Sequence, residues 1–448
     1  MLDRNNIPVV ELDEKTHYIF HHLKTQGVDN AALRILSHKG FSLSFREGAI
    51  DALEYDDAQT LSLKVFLGKK SASISTTNLS LESLNKTIKK ALSLVKYVQE
   101  DQCSGLPETS ALAFKHLDLA LYNPSSISVK DATSQMAACE KQIKGHSTPA
   151  IKINSETIQL SAHNGFIWHA NTVDSFKAYY PYSRHSLTCQ IIAKKQYDMQ
   201  MDYDYTTTRS TKDLESMNDL AQRTVKRTIK RLDARAAKAG VFPIIFEARA
   251  AVSLWRHLLS AIEGMSIYRQ MSFLQGALGK KIFPNFINVA QKPHIIKGLH
   301  SAPFDGEGVF TRNITYVENG QLTNYVLSSY SARHLGMQTT GNAGGVYNIV
   351  ISPGQDTLAS LCRQMKQGYL ITELLGQGVN LVTGDYSRGA FGYWVDNGEI
   401  QYPVQELTIA GNLKHMFQQI LAIGNDLTKY TNISTGSVLI DKMVVSAS

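Results

Sequence analysis

The stretch "ELDEKTHYIFHHLKTQG" (11–27) places apolar residues at helical spacing and ends on a glycine, which predicts an amphipathic helix. Four runs then alternate apolar and polar positions, over 31–37, 41–48, 60–68 and 71–78. That period of two predicts antiparallel strands with one wet face. Helical spacing returns over 79–99, with Ser80 placed to cap its first turn. After Asn123-Pro124 and a serine-rich stretch, helices over 129–145 and 211–232 flank two β-rich runs, 151–172 and 185–207. Each run is expected to fold back on itself, the first at Asn164-Gly165. The texture then changes. A helix is expected from Glu247 to Gly264, followed by short strands and frequent glycines. Asn-Gly pairs at 319–320 and 397–398 stand between alternating segments, and both residue types tolerate the positive φ of a tight hairpin turn. The fold class expected is α+β. Helices on antiparallel sheet form an N-terminal domain (1–123) and a middle region (124–236), followed by a β-rich, Gly-rich domain of barrel or sandwich type (237–448).

Composition narrows the function classes. The 448 residues are 43% hydrophobic and 19% charged, ordinary for a soluble globular protein, with a net charge of +7. The densest basic stretch, "VKRTIKRLDARAAK" (225–238), lacks interleaved aromatics and reads as the solvated face of a helix, so nucleic-acid binding is not expected. No apolar run approaches the roughly 20 residues of a membrane span, and the first residues do not resemble a secretory signal. Cys103, Cys139, Cys189 and Cys362 lie far apart without a C-x-x-C, which suggests buried free thiols in a reducing cytoplasm.

Local chemistry is sparse. His257 in the 247–264 helix has Ser260 and Ala261 at i+3 and i+4, so that helix lacks the paired ligands of an H-E-x-x-H motif. His17 and His21 have ligand spacing on the first helix but no acid between them, and read as a solvated face. "GQGVNL" (376–381) departs from a phosphate loop at Leu381, and no G-x-S-x-G occurs. Glycines recur every few residues over 339–354 and 383–413. They fit either tightly curved strands or a surface where an extended peptide pairs with a strand edge.

Four segments carry a resemblance: "KGLHSAPFDGEGV" (297–309), "SSYSARHLGMQTTGNAGG" (328–345), "GVNLVTGDYSRGAFGYWVDNGEIQYPVQELTIAGNLK" (378–414) and "GNDL" (424–427). Together they resemble the TldD/PmbA family, and the chain looks like its PmbA (TldE) branch. The resemblance implies a two-subunit cytoplasmic metalloprotease acting on unfolded or modified peptides. In it a TldD-type subunit holds zinc through an H-E-x-x-x-H helix and a late cysteine. Carried onto this chain, the first ligand position falls on Trp255, the general base on Arg256, the second ligand on Ser260 and the cysteine on Thr435. None of these side chains suits zinc: indole offers no free lone pair, guanidinium stays cationic, and neutral hydroxyls are weak ligands.

The expectation is therefore a subunit without its own cofactor, paired with a TldD-type partner that supplies zinc. In isolation the sequence leaves a homodimer open as one state, and no membrane attachment or nucleic-acid partner is expected. Gly341, Asn342, Gly344, Gly345, Tyr386 and Arg388 are the candidates for a peptide cleft or partner contact. Arg388 is suited either to a substrate carboxylate or to a structural salt bridge. Two alternatives stand beside this. An autonomous metallopeptidase would need a site built from His294, His300, Asp305 or Glu307. A DNA gyrase-associated factor would need salt-dependent DNA affinity.

Overall fold

Burial along one long strand organises the N-terminal half. The computed structural model describes residues 7–447. Its first elements are α1 (Val9–Thr25), β1 (Asn30–Arg46), β2 (Ala49–Leu67), β3 (Lys70–Thr76) and α2 (Leu81–Tyr97). There follow α3 (Val129–Lys144), β4 (Lys152–Asn171), β5 (Lys177–Lys195), β6 (Asp198–Thr208) and α4 (Met217–Ile229). The strands form one antiparallel sheet in the order β3-β2-β1-β4-β5-β6, so the segments 1–123 and 124–236 share a sheet through β1 and β4. Ala31, Leu33 and Ile35 of β1 pack under α1 and α2, while Leu43 and Phe45 pack under α3 and α4. Side chains alternate across a strand, so a single set of odd positions seats both helix pairs. Ser80 caps α2 by accepting from the Ser83 amide.

Two expectations about turns fail here. Residues 31–48 form one strand rather than two, and Asn164-Gly165 lies inside β4. Gly165 does not take a positive φ. A Cβ there would stand 1.9 Å from the Ser37 carbonyl oxygen, so glycine serves the close approach of β4 to β1. The second run does fold back, at the turn joining β5 to β6.

The C-terminal half adds β7 (Arg235–Ala236), β8 (Gly240–Phe246), α5 (Ala248–Ala261), α6 (Gly264–Tyr268), β9 (Val289–Gln291), β10 (Ile314–Glu318), β11 (Gln321–Leu322) and α7 (Ser329–His334). It continues with β12 (Ile349–Ile351), α8 (Leu358–Met365), β13 (Gly368–Leu375), β14 (Asp385–Asp396) and β15 (Glu399–Asn412). α9 (Leu413–Gln418), β16 (Ile420–Ile423), β17 (Ile433–Ser434) and β18 (Val438–Ala447) complete it. Strands β8, β13, β14, β15 and β18 close into a five-stranded barrel, because β18 pairs with both β8 and β15. A second sheet runs β11-β10-β9-β12-β17. The α+β class with a barrel-type C-terminal domain is thus what the chain adopts. Both Asn-Gly pairs form the expected turns, with φ of 48° and 78° at Asn319 and Gly320 and of 51° and 77° at Asn397 and Gly398.

Alternation also divides the barrel wall. Ile244, Phe246, Tyr369 and Ile371 join the main core with α5, while Ile245, Leu370, Val395 and Leu439 pack with α8. The two halves dock through the sheet face opposite the helices, where Phe176 and Tyr180 meet Phe304. Polar clamps reinforce this contact. Arg209 donates to the carbonyls of Ser183 and Leu299, and Arg333 to those of Cys103 and Gly105. All four cysteines are free; Cys103 is only half-buried, unlike the other three. No described helix is long and apolar enough to cross a membrane.

Two outcomes follow. A Cβ on Gly392 would stand 2.1 Å from the Leu370 carbonyl oxygen within the barrel wall. Gly392→Ala is expected to cost roughly 1–3 kcal/mol in chemical denaturation. Under α3, Lys144 bridges Glu140 and Glu156, and burial followed by the neighbouring Glu140 pushes the Glu156 carboxyl up to about 7. A raised folded-state value favours the protonated acid, so stability is lost as pH rises from the usual 4.5 towards 7. Glu156→Gln is expected to flatten the fall in denaturation midpoint across that window; an unchanged slope would contradict this.

Candidate functional site

Helix α5 is rich in Ala and Leu, good helix formers, and buries Ala251, Leu254, Trp255, Leu258 and Ile262 on one stripe. Glu247 precedes it as N-cap without a side-chain cap. Capping comes instead from the far end of the chain. The Ala248 amide donates to Ser437 Oγ at 3.0 Å, and that hydroxyl donates to Asp426 Oδ2 at 2.6 Å. The carboxylate thus supports the positive end of the helix through one serine. Asp426 belongs to "GNDL", so this motif anchors α5.

Two turns along, Trp255 is fully buried and its Nε1–H donates to Thr435 Oγ1 at 2.8 Å. Thr435 is equally buried and donates its own proton to the Gly436 carbonyl at 3.0 Å. The chain brings the two residues together from 180 positions apart. Glycines permit this: a Cβ on Gly436 would stand 2.0 Å from the Gly424 carbonyl oxygen. Arg256 and Ser260 lie on the exposed side of the helix instead. Of the four positions compared with a zinc site, two meet and two do not. The donor set does not fit zinc, because an indole N–H only donates and the threonine oxygen is already engaged. Among the described residues, no group of three His, Cys, Asp or Glu side chains gathers at α5.

The exposed side of α5 forms the floor of a cleft of about 620 Å³ between the two halves of the chain. Its walls come from β6, α4, β13, β14 and the loop 426–431. Much of the cleft is a neutralised ion network. Arg223 pairs with Asp204 and Glu215, Arg227 with Asp202 and Glu247, and Arg249 with Asp202. Arg231 pairs with Glu373 beside it. The basic stretch from 225 was expected to be a solvated face; Arg227 and Arg231 turn inward to these acids instead. Arg256 and Arg388 differ. Both line the cleft, and among the described residues neither has a carboxylate partner; Arg388 only reaches the Leu375 carbonyl at 3.4 Å. His257 lies next to them. Burial first, then the Arg388 and Arg256 charges, hold its imidazole down to about 4, so it is neutral at pH 7. Its Nε2 is buried without a hydrogen-bond partner, as is the Tyr386 hydroxyl, and the two rings meet edge to face at 6.0 Å.

The other candidates lie elsewhere. Asn342 is buried and donates to Gln291 Oε1 and the Gly345 carbonyl. Gly341 packs on the Phe310 carbonyl at a φ of 72°, while Gly344 and Gly345 are exposed. None of these four lines the cleft. Asp305 holds their loop by accepting from the Ala343, Glu307 and Val309 amides, and burial pushes its carboxyl up to about 7. His294 hydrogen-bonds Thr311 Oγ1 at 2.9 Å and Glu307 accepts from the Ser329 amide. His294, His300, Asp305 and Glu307 form no metal-capable group among the described residues. His17 and His21 stay exposed on α1, stacked at 6.1 Å. Sequence reasoning missed Tyr203, Ser253 and Thr428 in the cleft; only the three-dimensional fold gathers them.

Comparison with known proteins places this geometry in a family. Models of the PmbA/TldA metallopeptidase match in three parts: domain 1 over residues 31–95, the central domain over 122–232 and the C-terminal domain over 239–447. A metalloprotease PmbA homolog of Haemophilus influenzae is 38% identical over 425 residues, covering 95% of this chain and 94% of its own. The Escherichia coli metalloprotease PmbA is 38% identical over 418 residues, covering 93% and 92%. A zinc metalloprotease TldD homolog of Saccharolobus solfataricus is 28% identical over about half of each chain, 48% and 51%. The fold matches the crystal structure of TldE from Thermococcus kodakarensis with a TM-score of 0.83 at 18% identity, over 97% of this chain and 100% of that one. It also matches a Bacteroides thetaiotaomicron protein whose given name mentions a modulator of DNA gyrase, with a TM-score of 0.91 at 22% identity over 100% of both. With three domain models matched and such identity along nearly the full length, this chain belongs to the PmbA/TldD metallopeptidase family, in its PmbA branch.

Proposed function

We propose that this chain is the non-catalytic subunit of a heteromeric peptidase, in which a TldD-type partner supplies zinc and the general base. The observation that carries the reading is the contact between Trp255 and Thr435. The positions compared with the first ligand and the cysteine ligand are bonded to each other and fully buried. A buried, satisfied indole leaves neither a lone pair nor room for an ion and its water. The third position, Arg256, replaces a proton acceptor with a fixed cation that cannot activate water.

The same replacement gives the chain a positive role. Arg256 and Arg388 leave two guanidinium groups without carboxylate partners in a cleft whose other arginines, Arg223, Arg227 and Arg249, are paired. Guanidinium binds carboxylate well because its forked donors match the two oxygens. In this reading the cleft holds an extended peptide by an acidic side chain or its C-terminal carboxylate, close to the partner's zinc. The complex works in the cytoplasm on unfolded or modified peptides.

Peptide cleavage by each subunit alone and by the mixture tests the division of labour. The isolated chain is expected to stay at background, with activity appearing only in the mixture and vanishing with chelator. Chelator-sensitive cleavage by this chain alone would overturn the proposal in favour of an autonomous enzyme. Arg256→Ala and Arg388→Ala are each expected to weaken binding of a peptide with a free C-terminal carboxylate by about 5- to 30-fold, equivalent to about 1–2 kcal/mol. The amidated, acid-free version of that peptide is expected to lose little. Equal losses on both peptides, read by fluorescence anisotropy, would contradict carboxylate recognition.

A further inference from the structure

On the face of the N-terminal sheet that carries no helices, three neighbouring strands bring His38, Asp56 and His163 together. In register, Asp56 of β2 stands opposite Gly40 of β1, and Gly40 stands opposite His163 of β4. Asp56 and His163 are therefore two strands apart, roughly 9–10 Å by ordinary strand spacing. Side chains at that separation meet only if the strand between them offers no side chain. Gly40 meets that condition, since a Cβ there would stand 2.7 Å from His163 Cδ2. The imidazole lies across the bare glycine, and His163 Nε2 reaches Asp56 Oδ2 at 2.9 Å. His38, two residues before Gly40, stacks on His163 with ring centroids 4.3 Å apart, and its Nε2 is 4.0 Å from the same carboxylate oxygen. The position opposite His38 on β4 is again a glycine, Gly165.

We infer that His38, Asp56 and His163 form a binding site for a divalent transition-metal ion of the zinc class, separate from α5 and the cleft. One ligand atom from each side chain lies within 4.8 Å of the others. Zinc binds imidazole nitrogen and carboxylate oxygen at about 2.0–2.2 Å, so small rotations that open the Asp56–His163 hydrogen bond seat the ion. Two imidazoles and one carboxylate form a familiar three-ligand set, and the exposure of His38 and Asp56 leaves water to complete the shell. Arg184 of β5 stands opposite His163 in register, at the border of the site. Such an ion would tie β2, β1 and β4 together where β2 lacks β3 as a neighbour, because β3 pairs only with Leu61–Leu67. This proposal is independent of the reading of α5.

The test uses the full-length, untagged chain, stripped with chelator and titrated with CoCl2 and ZnCl2. One equivalent of Co2+ is expected to bind and give visible absorption bands of a four- or five-coordinate ion with nitrogen ligands. Excess Zn2+ should bleach these bands. His163→Ala and Asp56→Asn are expected to weaken binding at least tenfold, with folding checked by far-UV circular dichroism. The variants His17→Ala/His21→Ala and Thr435→Val should bind like the parent. X-ray absorption of the zinc-loaded parent provides a check that needs no variant, with two imidazoles in the shell expected. Absence of stoichiometric binding, loss of binding on changing His17 and His21 instead, or a shell without paired imidazoles would each overturn the proposal.

Discussion

The buried hydrogen bond from the Trp255 indole to the Thr435 hydroxyl fixes what fills the space beside α5. Burying an indole N–H without a partner costs on the order of 1–3 kcal/mol, so the ring and the hydroxyl depend on each other. Their meeting requires α5 to lie against the strand pair that ends the chain. That seating rests on Ser437 and Asp426 at the helix start and on the glycine contact between Gly424 and Gly436. The volume beside α5 is that of a packed core, with the Phe283 ring centroid 5.7 Å from that of the indole. A metal site needs lone pairs, charge compensation and an open position, and the same space here holds an aromatic ring and a satisfied alcohol.

Electrostatics gives the surface above that core a different character. Four of the arginines around the cleft are matched by acids, which fixes β6, α4 and α5 relative to one another. Arg256 and Arg388 stand outside this matching, and burial, reinforced by their field, keeps His257 neutral. The surface is thus shaped to attract an anion and is poorly suited to moving protons. That charge pattern is the ground for the proposal that this chain orients a peptide while a partner cuts it.

How much was legible in the sequence depended on the range of the physical cause. The Asn-Gly turns at 319–320 and 397–398 arise from local backbone preference, and both form. Asn164-Gly165 shows the same dipeptide with a different cause. Its glycine answers a carbonyl on β1, more than a hundred residues away, and no local pattern signals that. Gly40 likewise sits in mid-strand and makes room for His163. The first part of β2, over 49–57, is exposed on both faces, so it lacks the alternation that marks a strand. At the site, the unsuitability of Trp255, Arg256, Ser260 and Thr435 for zinc followed from their chemistry alone. That Trp255 meets Thr435, while Ser260 faces away, required the fold.

The central claim concerns what occupies the space beside α5, and crystals of the chain grown with zinc give the most direct view of it. Anomalous diffraction at the zinc edge is predicted to show no peak within coordination distance of Trp255 or Thr435, with continuous density for the indole-to-hydroxyl contact. A peak there, with the indole swung out and the ion held by protein ligands, would contradict the account.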